Sequence, residues 1–272
     1  MPTELLDFKK NLAFSIDDRI FLGEGLFETL RFSHTLPCYA KLHWQRMQNA
    51  ARLLKIPFEI SNKDFYDHLI NCIQFSKLTT GGIKVILSGG RASRGLNNRS
   101  LLSYLAVDAF SYSLKNRVIN LASGEWLRDA RNPIYKIKSI NYLEAILARS
   151  FASASISDEI LFFNLNNYAT DTTVANIFIV KADKIYTPRL DNGVLPGIIR
   201  ERVLSLCMKF KIRCDEINID KNAIMESDAI FTTNSLQGIS EVKSFEGKNF
   251  LINHHKVRLL KKLLAEDAIN YK

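Results

Sequence analysis

The chain has 272 residues, of which 47% are hydrophobic, and its 37 lysines and arginines against 28 acidic residues give a formal charge of +9. This is the balance of a globular protein with room for one large or two modest cores; no stretch approaches about eighteen uninterrupted apolar residues, which excludes a membrane-spanning helix. The basic residues are scattered. Their densest cluster, Lys256 to Lys262, reads as the polar face of a final helix whose apolar side is Val257, Leu260 and Leu264, so a nucleic-acid stripe is not expected and an anionic small molecule remains compatible with the charge.

In chain order, a glycine-rich turn at Gly23-Glu24-Gly25 leads into a strand-like Leu26 to Phe32, followed by helices over Leu42 to Leu54 and Lys63 to Phe75. The alternation of Ile83 to Leu87 and the apolar run Leu101 to Phe110 predict two further strands. The pattern then loosens through 111–117, the expected linker between a small N-terminal domain, 1–110, and a C-terminal domain, 118–272. Beyond it come a strand at Val118 to Ala122, a helix from Tyr142 to Ala154, and a strand at Glu159 to Phe163. Asn176 to Val180 and Lys184 to Tyr186 form a hairpin turning at Lys181-Ala182-Asp183. After Asn192-Gly193 and Pro196-Gly197, the spacing of Ile199, Val203, Leu206 and Cys207 predicts a helix over Ile198 to Phe210. The fold class expected is α+β.

Four cysteines, Cys38, Cys72, Cys207 and Cys214, lack paired spacing and sit in apolar surroundings, and no basic-apolar leader opens the chain, so a cytoplasmic protein with reduced thiols is expected. The histidines show no metal-ligand spacing, and no metal is expected; His43 reads as structural.

Three features carry chemistry. Lys136 and Lys138 share a face of the alternating segment Ile134 to Ile140, and a lysine among apolar neighbours becomes a nucleophile as burial disfavours its charge. Periodicity alone does not choose between them. Thr170-Asp171 supplies a carboxylate, and the helix start after Pro196-Gly197 presents the amides of Ile198 and Ile199 to an anion. An amine, an acid and a phosphate cradle are what a phosphorylated aldehyde cofactor held as a Schiff base requires.

Together these segments resemble the fold-type IV pyridoxal-phosphate enzymes, from Asp17-Asp18-Arg19 to about Val242. The matching pieces are Gly23-Glu24-Gly25-Leu26-Phe27-Glu28-Thr29, His43-Trp44-Gln45-Arg46-Met47, Lys138-Ser139-Ile140-Asn141-Tyr142, Thr170-Asp171 with Asn176-Ile177-Phe178, and Leu195-Pro196-Gly197-Ile198-Ile199-Arg200. The resemblance implies a smaller N-terminal α/β domain, a larger C-terminal β-barrel-like domain with flanking helices, and pyridoxal 5'-phosphate as cofactor. It selects Lys138 over Lys136 for the Schiff base. It also assigns Arg46, Ile198, Ile199 and Ser235 to the phosphate, Tyr142 to the ring oxygen, Asp171 to the ring nitrogen, and Arg94 and Asn234 to the substrate. Asp171 stands where the family carries glutamate, Ile199 replaces a threonine, Gly89 replaces an arginine, and Glu241 replaces a proline. A homodimer acting on a small molecule is implied as well.

The segment Asn234-Ser235-Leu236-Gln237-Gly238-Ile239 resembles that of the family's 4-amino-4-deoxychorismate lyases, and Arg94-Gly95-Leu96 lacks the histidine of the D-amino-acid aminotransferases. The implied reaction is conversion of 4-amino-4-deoxychorismate to 4-aminobenzoate and pyruvate in folate biosynthesis. A branched-chain or D-amino-acid aminotransferase is the alternative, and a non-catalytic binder of anionic ligands or nucleic acid ranks below both.

Overall fold

The computed structural model describes residues 3–5, 14–115, 117–152 and 157–271. The described residues fall into two compact units, one within Met1–Ser113 together with Ile137–Asn141 and Tyr271, the other within Leu114–Lys136 and Tyr142–Asn270. The expected linker straddles the point where one unit gives way to the other, and its Asn116 lies outside the described residues, as does Ala154 at the end of the expected third helix.

The first unit is a sheet covered by two helices. Strands β1 (Thr3–Leu5), β2 (Gly25–Ser33), β3 (Leu36–Pro37), β4 (Thr80–Ser88) and β5 (Ser103–Ser111) lie in the order β1-β5-β4-β2-β3. β2 and β4 pair antiparallel over their full lengths, from Gly25 opposite Ser88 to Ser33 opposite Thr80. Because side chains alternate across a strand, Leu26, Glu28, Leu30 and Phe32 share one face. That face carries the core: Leu26, Leu30 and Phe32 pack with Ile83, Val85 and Leu87, with Met47 and Ala51 of α1 (Ala40–Leu54), and with Phe65, Leu69 and Ile73 of α2 (Asn62–Ser76). Each such side chain contributes about 1.5–3 kcal/mol by leaving water. Helix α2 starts where Ser61 Oγ accepts the Asp64 amide at 3.1 Å, a side-chain cap. Glu28 is thus a carboxylate on a core face, and it requires partners.

The segment Ile137–Asn141 joins this unit. The Phe27 amide donates to the Lys138 carbonyl at 3.0 Å, the Ile140 amide to Gly25 at 3.1 Å, and Leu26 bridges Ser139. The expectation that Ile134 to Ile140 runs as one strand, with Lys136 and Lys138 on a common face, is corrected. Pro133–Lys136 is a 3-10 turn, started by proline's fixed φ, and only the residues after it are extended. Lys136 is consequently exposed and Lys138 half-buried.

The second unit contains β6 (Val118–Arg128), α3 (Leu143–Ala152), β7 (Glu159–Asn164), β8 (Ala169–Thr172), β9 (Asn176–Lys181) and β10 (Lys184–Pro188). It continues with α4 (Ile198–Lys209), β11 (Cys214–Ile217), α5 (Lys221–Met225), β12 (Ala229–Asn234), β13 (Gly238–Phe245), β14 (Lys248–Asn249) and α6 (His255–Asn270). Following the pairings from β9 through β12, β13, β6, β7 and β8 returns to β9 at Asp171 opposite Asn176, so these six strands close a barrel. Closure pairs the edge that β8 would otherwise leave open, while β10 and β11 extend the sheet from β9 beyond the barrel. It also explains why β7 and β9 read as continuous apolar runs rather than alternating ones, since both of their faces are covered. Ile119, Leu121, Leu161, Phe163, Ile177, Ile179, Ile230, Val242 and Phe245 form one of its cores. Phe178 and Phe231 stack on neighbouring strands with ring centroids 4.8 Å apart. The expected hairpin forms with Lys181 opposite Lys184, through Ala182 and Asp183 at positive φ. β6 runs six residues past the expected end at Ala122, to Arg128, because its register shifts against β7 between Ser123 and Leu127. Such a bulge re-aims the residues beyond it.

Candidate active site

In the first unit, Lys138 Nζ lies 4.3 Å from the centroid of the Phe27 ring, a cation over an aromatic face. On the opposite face of the same strand, Glu28 collects donors from α1: Arg46 Nε at 2.8 Å to Oε1, Arg46 Nη2 at 2.6 Å to Oε2, and His43 Nδ1 at 2.6 Å to Oε2. His43 and Arg46 are three apart on the helix and so share the face that meets the strand. Burial alone raises the Glu28 carboxyl, yet the Arg46 guanidinium and the His43 hydrogen bond hold it down at about 2. Burial pushes the His43 imidazole down, partly offset by Glu28, so it donates as a neutral ring. Its Nε2 is buried with no partner. Arg46 is therefore locked in a planar, two-bond pair, an orientation that sequence spacing alone does not reveal.

Arg94 is exposed, in the loop between β4 and β5, and its carbonyl accepts Asn98 Nδ2 at 2.7 Å. The loop is braced by a residue outside the predicted set. Arg19 is 4% exposed, pairs with Glu24, and donates to the carbonyls of Gly95 at 3.1 Å and Leu96 at 3.2 Å. Gly90, at φ 78°, admits no side chain, since a Cβ would fall 1.7 Å from the Leu102 carbonyl oxygen.

In the second unit, Asp171 is buried at the end of the barrel. Its Oδ1 accepts Arg128 Nη1 at 2.6 Å and its Oδ2 the Leu195 amide at 3.0 Å. Burial raises its carboxyl, against the pull of Arg128 and that amide. Leu195 is in turn fixed by Asn176, whose Nδ2 donates to its carbonyl at 2.9 Å. Two residues later Gly197 caps α4 without a side-chain hydrogen bond, so the helix opens on the amides of Ile198 and Ile199 with no capping oxygen over them. Tyr142 is half-buried just ahead of α3, and its carbonyl accepts the Ile146 amide at 2.9 Å.

Asn234 and Ser235 lie at the β12–β13 turn, half-buried. Asn234 Oδ1 accepts the amides of Leu236 at 3.1 Å and Gln237 at 2.8 Å, which shapes the turn. Beside it, Thr233 Oγ1 is buried with no partner. Glu241, in place of the family's proline, is 3% exposed and takes hydrogen bonds from the Asn253 amide and Lys261 Nζ, both at 2.5 Å, so it ties β13 to α6.

Within the first unit, then, Lys138 stands close enough to the Glu28–His43–Arg46 cluster for its charge to act on the His43 ring. The second gathers Asp171, the α4 start and the β12–β13 turn. Arg128 and Glu28 were missed as site residues. Glu28 had a signal, a lone acid at an apolar strand position, whereas Arg128 had none, since its setting depends on a bulge and a closing barrel.

The sequence matches the model of the amino-transferase class IV family over residues 25–245. A solved protein of Legionella pneumophila subsp. pneumophila str. Philadelphia 1, provisionally named a 4-amino-4-deoxychorismate lyase, is 49% identical, with a TM-score of 0.96 over 98% of this chain and 100% of that one. A D-alanine aminotransferase of Bacillus licheniformis is 22% identical, covering 88% of this chain and 86% of its own length. An aminodeoxychorismate lyase of Bacillus subtilis (strain 168) is 24% identical, covering 89% and 85%. With its motifs, closed barrel and separate small sheet in agreement, the chain belongs to the class IV aminotransferases, the fold-type IV enzymes that depend on pyridoxal 5'-phosphate.

Proposed function

We propose that this enzyme is an aminodeoxychorismate lyase, converting 4-amino-4-deoxychorismate to 4-aminobenzoate and pyruvate in folate biosynthesis. The observation that carries the reading is the likeness along the whole chain to the Legionella protein, at twice the identity of either Bacillus relative. The segment Asn234 to Ile239 agrees with it.

The residues present fit the cofactor. The uncapped start of α4 suits a phosphate, the orphaned Thr233 hydroxyl lies next to the turn that carries Ser235, and Asp171 is a buried carboxylate with an unfilled lone-pair direction on each oxygen. Arg46, the amides of Ile198 and Ile199, and Ser235 Oγ would bind the phosphate; Tyr142 would contact the ring oxygen, and Asp171 would hold the proton on the ring nitrogen. Bound pyridoxal 5'-phosphate supplies an electron sink to the carbon that loses a proton. Lys138 would hold the cofactor through its ε-amino group, and the same amine is the base placed to take the proton from the amine-bearing ring carbon of the substrate. The ring carbon–oxygen bond to the enolpyruvyl group then breaks, and the released enolpyruvate takes up a proton in place of the one removed from the ring and becomes pyruvate. The ring is left aromatic, so the chemistry runs downhill and the protein supplies orientation and a base. Arg94 binds a substrate carboxylate, and Asn234, its Oδ1 committed to the turn, contributes through Nδ2.

The active form in this reading is a homodimer. Leu143, Ile146, Leu147 and Phe151 make an exposed apolar stripe on α3, a surface suited to a second copy. Reduced thiols at Cys72 and Cys207, both buried, suit the cytoplasm.

The test compares two incubations of the cofactor-loaded protein, one with aminodeoxychorismate and one with amino acid plus 2-oxoglutarate. The proposal expects 4-aminobenzoate and pyruvate in the first. Glutamate in the second without 4-aminobenzoate in the first assigns the chain to the aminotransferases instead.

A further inference from the structure

Arg128 is among the most enclosed cations of the second unit, 6% exposed, with its guanidinium carbon 3.6 Å from the centroid of the Phe162 ring and 4.7 Å from that of Tyr135. A desolvated cation needs paired acids. It has two: Nη1 donates to Asp171 Oδ1 at 2.6 Å, while Nε and Nη2 donate to Glu144 Oε2 at 3.1 and 2.8 Å. Glu144 is pinned independently, its Oε1 accepting Trp126 Nε1 at 3.0 Å and the Tyr135 hydroxyl at 3.3 Å. The two rings lie against the guanidinium and restrain its plane, and Glu144 fixes its rotation. Asp171 therefore receives a hydrogen bond whose direction is set by three other side chains.

One cation stands against two carboxylates here, so the cluster carries a surplus negative charge, and it is buried at Asp171, whose side chain is 12% exposed against 28% for Glu144. A protonated ring nitrogen would neutralise it. The short arm of Asp171 leaves little room to find that nitrogen by rotation, and the Leu195 amide on Oδ2 restrains it further. We propose that Arg128 is a positioning residue that keeps Asp171 ionised and aimed, and that Glu144 sets the strength of its hold by competing for the same guanidinium. The inference rests on the reading of Asp171 as the acid that faces the cofactor nitrogen.

The groups acting on Asp171 are Arg128 from β6, Glu144 from α3 and the Leu195 amide ahead of α4, while Tyr135 from the 3-10 turn touches Glu144 and Arg128. Tyr135 stays a neutral donor, because burial and Glu144 push its phenol up. Removing Arg128 leaves burial and Glu144 unopposed except by the amide; neutralising Glu144 removes a repulsion and frees the guanidinium.

The experiment titrates Asp171 by carboxyl-carbon NMR in apoprotein labelled at aspartate, its signal assigned by its loss in Asp171→Asn. In Arg128→Gln the midpoint rises by about 1 pH unit or more, in Arg128→Lys it lies between the two, and in Glu144→Gln it falls below wild type. A merely structural contact would not move two variants in opposite directions. In cofactor-loaded protein, the visible absorption transition of the bound coenzyme shifts in the same order. Should Arg128→Gln not fold, the opposed shifts of Arg128→Lys and Glu144→Gln decide. Coincident midpoints across the set, or Glu144→Gln moving upward, overturn the proposal. Failure of wild type to hold pyridoxal 5'-phosphate at Lys138 would sink the functional reading alone, since the apoprotein titration is unaffected.

Discussion

Glu28 shows how one residue links stability to the site. Its carboxyl, ordinarily at 4.5, is held at about 2 in the folded chain by Arg46 and His43. A depressed folded value favours the native state above the unfolded one, so the stabilisation is complete above about pH 5 and is lost as pH falls from there toward 2. Glu28→Gln is expected to lower stability at neutral pH by on the order of 2 kcal/mol, with the difference from wild type vanishing toward pH 2 in urea melts at stepped pH. A difference independent of pH would remove the charge from that account. Asp171→Asn keeps the shape of the barrel end but removes its charge. Turnover is expected to fall by about two orders of magnitude or more while borohydride still fixes the cofactor to the protein. An unchanged rate would exclude Asp171 from the chemistry.

At the scale of elements, the site is legible where chemistry is local. A helix start after Pro-Gly, an Asn-Ser turn and a Phe-Glu-Thr strand can each be read as residues and are found in place, because capping, turn and alternation are set by near neighbours. What was not legible depends on partners distant in sequence. The 3-10 turn at Pro133–Lys136 separates the two lysines that alternation had put together, and Arg128 acquires its role only through a bulge and residues Glu144 and Asp171. Gly197 carries a similar long-range constraint. A Cβ there would fall 1.8 Å from Asn176 Oδ1, and Asn176 holds the Leu195 carbonyl. Gly197→Ala is expected to push Asn176 off Leu195 and raise the dissociation constant for pyridoxal 5'-phosphate about tenfold, or about 1.4 kcal/mol, with far-ultraviolet circular dichroism unchanged. Equal affinity in fluorescence titration would show that this hinge does not support the phosphate site.

At the scale of the molecule, alternating strands and helices announced a mixed fold, but barrel closure came from the pairing of Asp171 with Asn176, which no periodicity encodes. Closure is what brings the acid of β8 beside the loop before α4. The proposed dimer belongs to this scale as well. Replacing Leu143 and Ile146, 67% and 61% exposed, by glutamate is expected to convert a dimer to monomers in light scattering without lowering the melting temperature of either unit's core. A dimer unaffected by both changes would place the interface elsewhere.

The most direct measurement is peptide mapping by mass spectrometry after borohydride reduction of the cofactor-loaded protein. The account predicts one modified peptide, with the pyridoxyl group on half-buried Lys138 and none on exposed Lys136. Modification of Lys136, or scattered labelling of surface lysines with Lys138 untouched, would contradict it.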